Sequence, residues 1–206
     1  TNGLSLFFTD FDKQNIEARI IDKMGRSAVD TNELFIDNLK IPKKDLIGEE
    51  GKGFHYIIHS LNPERILVAA EAYGIAKNAL DRAAKYANER IVFEQPIGKN
   101  QSIQHPLADG WAKIEAAKLM FLKAASLYDK NLPCGLEANA AKYLAAEFGM
   151  EICKQAIATH GGMGYAKEFH VERLFREMII PYLAPVSQQL VLCYLAEHAL
   201  GLPKSY

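Results

Sequence analysis

The sequence predicts a mainly α protein: a C-terminal up-down four-helix bundle preceded by part of an antiparallel β-domain. Three observations carry this. From about Gly53 onward the apolar residues recur every three or four positions, the period of one helix face. Before that point, short stretches alternate in the manner of strands. Between the two, near Leu46, composition shifts from β-branched and aromatic to alanine-rich. Residues 1–46 are therefore expected to be the end of a β-domain, and 47–206 a four-helix-bundle domain.

The strand candidates are Leu4–Thr9, Ile16–Ile21 and Asp30–Leu39, separated by turns rich in Asp, Asn and Gly. Three strands cannot bury both faces of a sheet, so they are expected to belong to a larger one. Ile41-Pro42 leaves the sheet, and Gly48-Glu49-Glu50-Gly51-Lys52-Gly53 reads as a flexible entry to the first helix. That helix is expected from about Gly53 to Arg90, with a kink near Ser60 because Pro63 removes a backbone donor. Phe93–Gly98 is expected to be a loop. The second helix is expected from about Ser102 to Lys130, with Trp111, Ile114, Met120, Phe121 and Leu127 among its buried residues. The third is expected from about Leu136 to Thr159, stopping at Gly161-Gly162. A shorter helix is expected to begin near Glu168 and to end before Pro181. Ser187 is the expected N-cap of a last helix that stops at Gly201.

Composition narrows the function. The chain has 206 residues, 49% hydrophobic and 24% charged, enough for a sizeable core. Its 24 basic and 25 acidic residues leave a formal charge of -1, which argues against nucleic-acid binding. Three scattered cysteines, Cys134, Cys153 and Cys193, without a C-x-x-C pair, fit a reducing compartment, and a cytoplasmic location is expected, or the mitochondrial matrix in a eukaryote. No apolar run reaches the length of a membrane span, and no secretory signal is recognisable. The chain opens at Thr1-Asn2-Gly3-Leu4 without an initiator methionine and is expected to be a piece of something longer.

The anomaly lies in the first helix. Its inner stripe runs through Phe54, Ile58, Leu61, Arg65, Val68, Ala72, Ala76, Ala79, Ala83, Tyr86 and Arg90, so two arginines interrupt apolar or small residues. A neighbouring stripe through Ile57, Leu61, Glu64, Val68, Glu71 and Ile75 turns Glu64 toward the buried side. Buried charges cost free energy unless paired or used. Glu64 and Arg65 read either as an ion pair at a proline-marked turn or as a working pair. In the second case burial raises the carboxylate into the range of a general base, and Arg65 binds an anionic or polar ligand group. Arg90 reads either as a cation favoured by a helix C-terminus or as a ligand contact. His160-Gly161-Gly162-Met163-Gly164-Tyr165 reads either as a C-cap or as a backbone that approaches a pyrophosphate. It is not G-x-G-x-x-G, which excludes a Rossmann fingerprint. His55 and His59 stand one turn apart with no recognisable third ligand, so no metal is expected. There is no G-x-S-x-G hydrolase elbow.

In this order the segments resemble the acyl-CoA dehydrogenase family, and the likeness covers the whole chain as the C-terminal half of a member. Met24-Gly25-Arg26-Ser27-Ala28 with Thr31-Asn32-Glu33-Leu34 is similar to a family strand motif. Ile41-Pro42 through Leu46 to Phe54 is similar to the linker into the helical domain. Tyr86 to Phe93, with Gln95-Pro96-Ile97, resembles the segment that contacts flavin adenine, and His160 to Tyr165 resembles the diphosphate loop. The resemblance implies FAD as cofactor, an acyl-CoA substrate, electron-transfer flavoprotein as partner, and a homo-oligomer built as a dimer of dimers. The implied reaction is α,β-dehydrogenation of the thioester: a carboxylate removes the α-proton while the β-hydrogen leaves as hydride to FAD.

Many members carry the catalytic glutamate just before the last helix, in Tyr-Glu-Gly-Thr-Ser-Gln. This chain has Leu183-Ala184-Pro185-Val186-Ser187-Gln188, with Ala184 in the glutamate's place. Isovaleryl-CoA and long-chain acyl-CoA dehydrogenases instead carry the base in a Leu-x-x-Glu-Arg segment, which Leu61-Asn62-Pro63-Glu64-Arg65 matches. The resemblance thus implies Glu64 as base and Asn62, Arg65 and the backbone N–H of Ala184 as substrate contacts. It implies Arg90, Phe93, Asn100, Gln101, Gly161, Gly162, Ser187 and Gln188 as cofactor contacts, with Arg90, Phe93, Gln101, Gly161 and Gly162 serving the FAD of a neighbouring subunit. Ala158 stands where a glutamine often contacts the diphosphate. The competing expectations are a non-catalytic subunit or truncated interaction module, and acyl-CoA oxidase or nitroalkane oxidase chemistry on the same fold.

Overall fold

The computed structural model describes residues 3–205. Thr1 and Asn2, where the strand-like opening begins, lie outside the described residues. The chain divides into two compact units, Thr1–Leu61 and Asn62–Tyr206. The division falls within the first long helix, whereas the composition shift lies at Leu46.

In the first unit, β1 (Leu6–Phe7) pairs antiparallel with β4 (Leu46–Ile47), and β2 (Ile16–Ile20) with β3 (Asn32–Ile36) in the register Ile16↔Ile36 to Ile20↔Asn32. The strands form two separate pairs. Of β2 only Ile16 is buried, and β3 is exposed throughout. The Arg19 guanidinium lies 4.3 Å from the centre of the Phe35 ring, covering it in place of a core. The expected flexible entry to the helix is more ordered than expected. Gly51 N donates to Ser5 Oγ, Gly53 N to Leu4 O, and Glu49 N to the Tyr56 hydroxyl.

Helix α1 spans Gly53–Glu89 and continues through Pro63. Beyond Leu61 its buried stripe is Ile66, Ala69, Ala72, Ala76, Ala79, Leu80, Ala83 and Ala87. Helices α2 (Gln101–Asp129) and α3 (Gly135–His160) bury Ile114, Ala117, Ala141, Ala145, Ile152, Cys153 and Ala156 in the same core. Helix α4 (Val171–Leu183) adds Val171, Leu174 and the fully buried Met178. Helix α5 (Gln188–Leu200) begins at Ser187, whose Oγ accepts from Leu190 N at 3.4 Å, and ends at Gly201 with φ 67°. The protein is mainly α, with a few antiparallel strands before the helical domain, as its periodicity indicates. Among the described residues no single helix is long and apolar enough to cross a membrane.

Three local expectations are corrected. Trp111 is 61% exposed: α2 turns Gly110 and Ile114 inward instead, and Gly110 packs against Ile152 where a larger side chain would collide. The short helix starts at Val171 and contains Pro181. Residues Lys167–Phe169 form a separate 3-10 turn, ended by His170 in the left-handed region at φ 63°. The segment after α1 is a hairpin, β5 (Ile91–Val92) and β6 (Gln95–Pro96), closed by Phe93 and Glu94 at φ 50° and 63°. Positive φ at both central residues matches the right-handed twist of a two-residue hairpin, and the absence of glycine there hides the turn from sequence.

Met178 is fully buried between α3 and α4, and its methyl fills the space above Gly149. Met178→Ala should lower stability by about 2–5 kcal/mol, read as a reduced denaturation midpoint with an unchanged slope.

Candidate functional site

The candidate residues fall into two groups along α1. At its Asn62 end, Arg65 Nη1 donates to Asn62 Oδ1 at 3.2 Å, while Arg65 Nε is buried without a hydrogen-bond partner. Burial holds the Arg65 pKa down, and the nearby Tyr194 hydroxyl and Glu64 push it back up. Half of the inner-stripe expectation holds here. Arg65 is half-buried, but Glu64 is exposed. The buried line at this point is Ile66 and Ala69, and Glu64 lies two residues before Ile66, on the other side of the helix. Gly135 leaves room beside this group: a Cβ there would sit 2.7 Å from the Tyr194 hydroxyl and 4.0 Å from Asn62 Nδ2.

The α4–α5 connection carries Ala184, Ser187 and Gln188. The Ala184 N–H donates to Ile180 O at 2.8 Å, closing the last turn of α4. It already closes a helical bond, so a thioester contact at this N–H would share or open that bond. Ser187 spends its hydroxyl on the α5 cap. Gln188 is 3% exposed, and its amide is spent internally. Its Oε1 accepts from Lys142 Nζ at 2.8 Å, and its Nε2 donates to Tyr143 O at 3.3 Å and to Glu147 Oε1 at 3.2 Å. Gln188 is thus an interior clamp in this chain, since a buried amide must find its partners within the fold.

The other group stands at the far end of α1. Arg90 is exposed, and Phe93 is 94% exposed at the hairpin tip. Asn100 precedes α2 without capping it; its amide donates to Ile97 O, and the neighbouring Gln101 is exposed. Gly161 ends α3 at φ 62°, and neither Gly161 nor Gly162 has a heavy atom within 4 Å of where a Cβ would stand. The open backbone is held from beneath. The His160 ring stacks on Tyr86 with centroids 4.3 Å apart and meets Phe169 edge-on. His160 Nδ1 must carry the proton, since Ala156 O at 2.8 Å only accepts. A cavity of ≈ 180 Å³ beside this stack is lined by Arg82, Lys85, Tyr86, Glu89, His160 and Phe169, among others, so the end of α1 and the glycine loop are neighbours.

From Arg65 to Arg90 the chain rises 25 residues, about 37 Å at 1.5 Å per residue. The structure therefore brings Arg90, Phe93 and Gly161 toward one end of the bundle and Asn62, Arg65 and the Ala184 connection toward the other. His55 and His59, in the first unit, face each other edge-on at 5.1 Å. The residue that sequence reasoning missed is Lys142, fully buried on α3. The signal was there: a lysine inside Ala138, Ala141, Ala145 and Ala146 is the same anomaly that singled out Arg65.

Residues 51–184 match the family model described as acyl-CoA dehydrogenase, C-terminal domain. The chain is 40% identical over 179 residues to the 3-(aryl)acrylate reductase of Clostridium sporogenes, covering 86% of this chain and 48% of that protein. It is 39% identical over 178 residues to the caffeyl-CoA reductase-Etf complex subunit CarC of Acetobacterium woodii, covering 86% of this chain and 47% of that one. Among solved structures, butyryl-CoA dehydrogenase from Megasphaera elsdenii is similar with a TM-score of 0.92 at 34% identity, over 98% of this chain and 52% of that chain. The chain spans about half the length of the curated relatives it matches.

At Gly164 in the glycine loop the fold leaves no room for a side chain. A Cβ at Gly164 would lie 2.4 Å from Ile157 O, a backbone atom that cannot step aside. Gly164→Ala should cost about 1–3 kcal/mol, seen as a melting temperature lowered by several degrees.

Proposed function

The chain belongs to the acyl-CoA dehydrogenase family, and from that premise we propose that it forms the C-terminal half of a flavoenzyme acting on the α,β-bond of an acyl-CoA thioester. The observation that carries this reading is the match of residues 51–184 to the family's C-terminal domain. In the proposed organisation residues 1–46 end a β-domain and 47–206 form the helical dehydrogenase domain.

The residues at the Arg90 end fit FAD. An exposed guanidinium at Arg90, an outstanding ring at Phe93 and an open glycine backbone at Gly161-Gly162 offer a cation, a stacking face and close-approach amides to an adenine dinucleotide. Arg90, Phe93, Asn100, Gln101, Gly161 and Gly162 would hold it. When bound, FAD supplies the two-electron acceptor for the β-hydrogen. The separation of about 37 Å between Arg65 and Arg90 supports a division of labour between copies: the cofactor held at Arg90 belongs to a neighbouring subunit. A homo-oligomer, a dimer of dimers, and delivery of electrons to electron-transfer flavoprotein complete the proposal.

At the other end, Asn62 and Arg65 bind the acyl-CoA. Arg65 already spends one N–H on Asn62 and keeps its buried Nε for a ligand acceptor. Glu64, on the same turn, takes the α-proton at its carboxylate. Glu64 is exposed in this chain, so its carboxylate is open to a substrate that approaches from outside. Ala184 borders the thioester, its N–H shared with Ile180 O. A second reading, favoured by the reductase names of two relatives, runs the same chemistry toward the saturated thioester, with Glu64 returning the proton to the α-carbon.

Two experiments on the full-length, FAD-loaded protein test this. Glu64→Gln should keep the flavin and slow its reduction by acyl-CoA by about 10²–10⁴-fold; near-normal single-turnover reduction would remove Glu64 from the role. Gly162→Ala places a methyl in open space, so melting of the apoprotein should not change, while FAD affinity should weaken by roughly tenfold, as expected for the loss of about 1.4 kcal/mol. Unchanged FAD affinity would exclude the glycine loop from the cofactor site.

A further inference from the structure

We propose that Lys142 is a positioning residue for the acyl-CoA end of the site: its ammonium bolts the α4–α5 connection onto α3 and so sets the backbone around Ala184. The inference rests on the reading of that end as the thioester site.

The geometry is a match of three donors to three acceptors. Lys142 has no exposed surface. Its Nζ donates to Tyr182 O at 3.2 Å, to Val186 O at 2.7 Å and to Gln188 Oε1 at 2.8 Å. Tyr182 and Val186 are the residues on either side of Leu183-Ala184-Pro185, so two of the bonds straddle Ala184. The third reaches the first residue of α5, and the same Gln188 amide donates back to Tyr143 O and Glu147 Oε1 on α3. The connection has no regular structure between Ala184 and Ser187, and this one ammonium supplies the order that a ladder of backbone bonds would supply elsewhere.

Burial dominates the electrostatics of the bolt, and two charged side chains also act on it. Arg65, from α1, acts on Lys142 and lowers its pKa; Glu147, on α3, acts the other way; α4 and α5 present it two carbonyls and the neutral Gln188 amide. Burial is the largest effect and brings Lys142 down to about 8, so at neutral pH the ammonium form predominates and all three protons are available. A methionine of similar length would fill the same volume without the cost of desolvating a charge. What it would not do is hold three acceptors at fixed positions.

The test uses Lys142→Met in the full-length, FAD-loaded enzyme, beside wild type. FAD content should be retained. At saturating acyl-CoA the flavin reduction rate should fall by roughly 10–10²-fold, as a displacement of about 1 Å at the reacting end would cause, while acyl-CoA affinity shifts by less than about threefold. Hydrogen exchange at the Ala184 and Ser187 amides should accelerate, with α2 unchanged. A lower melting temperature and a smaller reducible fraction, at an unaltered rate in that fraction, would overturn the proposal, since a merely structural lysine gives that result. Should the variant fail to fold, wild type still decides: an Ala184 amide protected like the interior of α4 supports the bolt, and one that frays like an ordinary helix end sinks it. If wild-type flavin is neither reduced by any acyl-CoA nor, once reduced, reoxidised by any α,β-unsaturated acyl-CoA, the thioester reading falls, and the exchange comparison continues to judge Lys142 alone.

Discussion

The helical unit depends on one buried seam of small side chains shared by α1, α2 and α3. Ala69, Ala72, Ala76, Ala79 and Ala83 on α1, Ala117 on α2, and Ala141, Ala145 and Ala156 on α3 have no exposed surface. Small side chains let helix axes come toward the short end of the usual range of about 8–10 Å. An alanine seam buries little area per residue, so its stability comes from the number of close contacts and from the few large groups that fill what remains, such as Ile114 and Met178. It also leaves no slack for a misplaced stem. The Lys142 side chain runs through this packed layer and emerges at one place, among the carbonyls of the α4–α5 connection.

The same rigidity accounts for the layout of the candidate site. Between Arg65 and Arg90, α1 keeps one buried stripe, mostly alanine, with a polar group at each end. Neither end is a closed pocket. Phe93 stands out of its hairpin, Gly161 and Gly162 present bare backbone, and Glu64 faces outward.

Much of the fold was legible from the periodicity alone, because an alanine-rich stripe at steps of three and four has one low-energy outcome. Helix ends were legible wherever chemistry marked them, as at Ser187 and Gly201. What escaped was the set of features decided by three-dimensional competition. Trp111 lost the core to Gly110 and Ile114. Pro181 is tolerated within α4, where sequence alone reads a stop. The Glu64 stripe was read one face too far round, because Ile66 and not Leu61 marks the buried line beyond the unit division. Arg65 was legible as an anomaly, and Lys142 was an equal anomaly that the eye passes over in a run of alanines. Gln188 and the Ala184 N–H show a different limit: sequence names a polar group, but only coordinates show which partner it has within the chain.

The hairpin turn at Phe93-Glu94 carries a lesson for anyone who improves such a protein by selection. Both residues hold a left-handed backbone that costs non-glycine residues about 1–2 kcal/mol each, and the ring at the tip is given almost wholly to water. Asn-Gly would relieve both penalties at once. A screen that rewards heat resistance alone would therefore drift toward that dipeptide and discard the aromatic tip without noticing. In the proposed role of Phe93 as a cofactor contact, durability and recognition are set against each other at two adjacent codons, and only a screen that scores both will keep the phenylalanine.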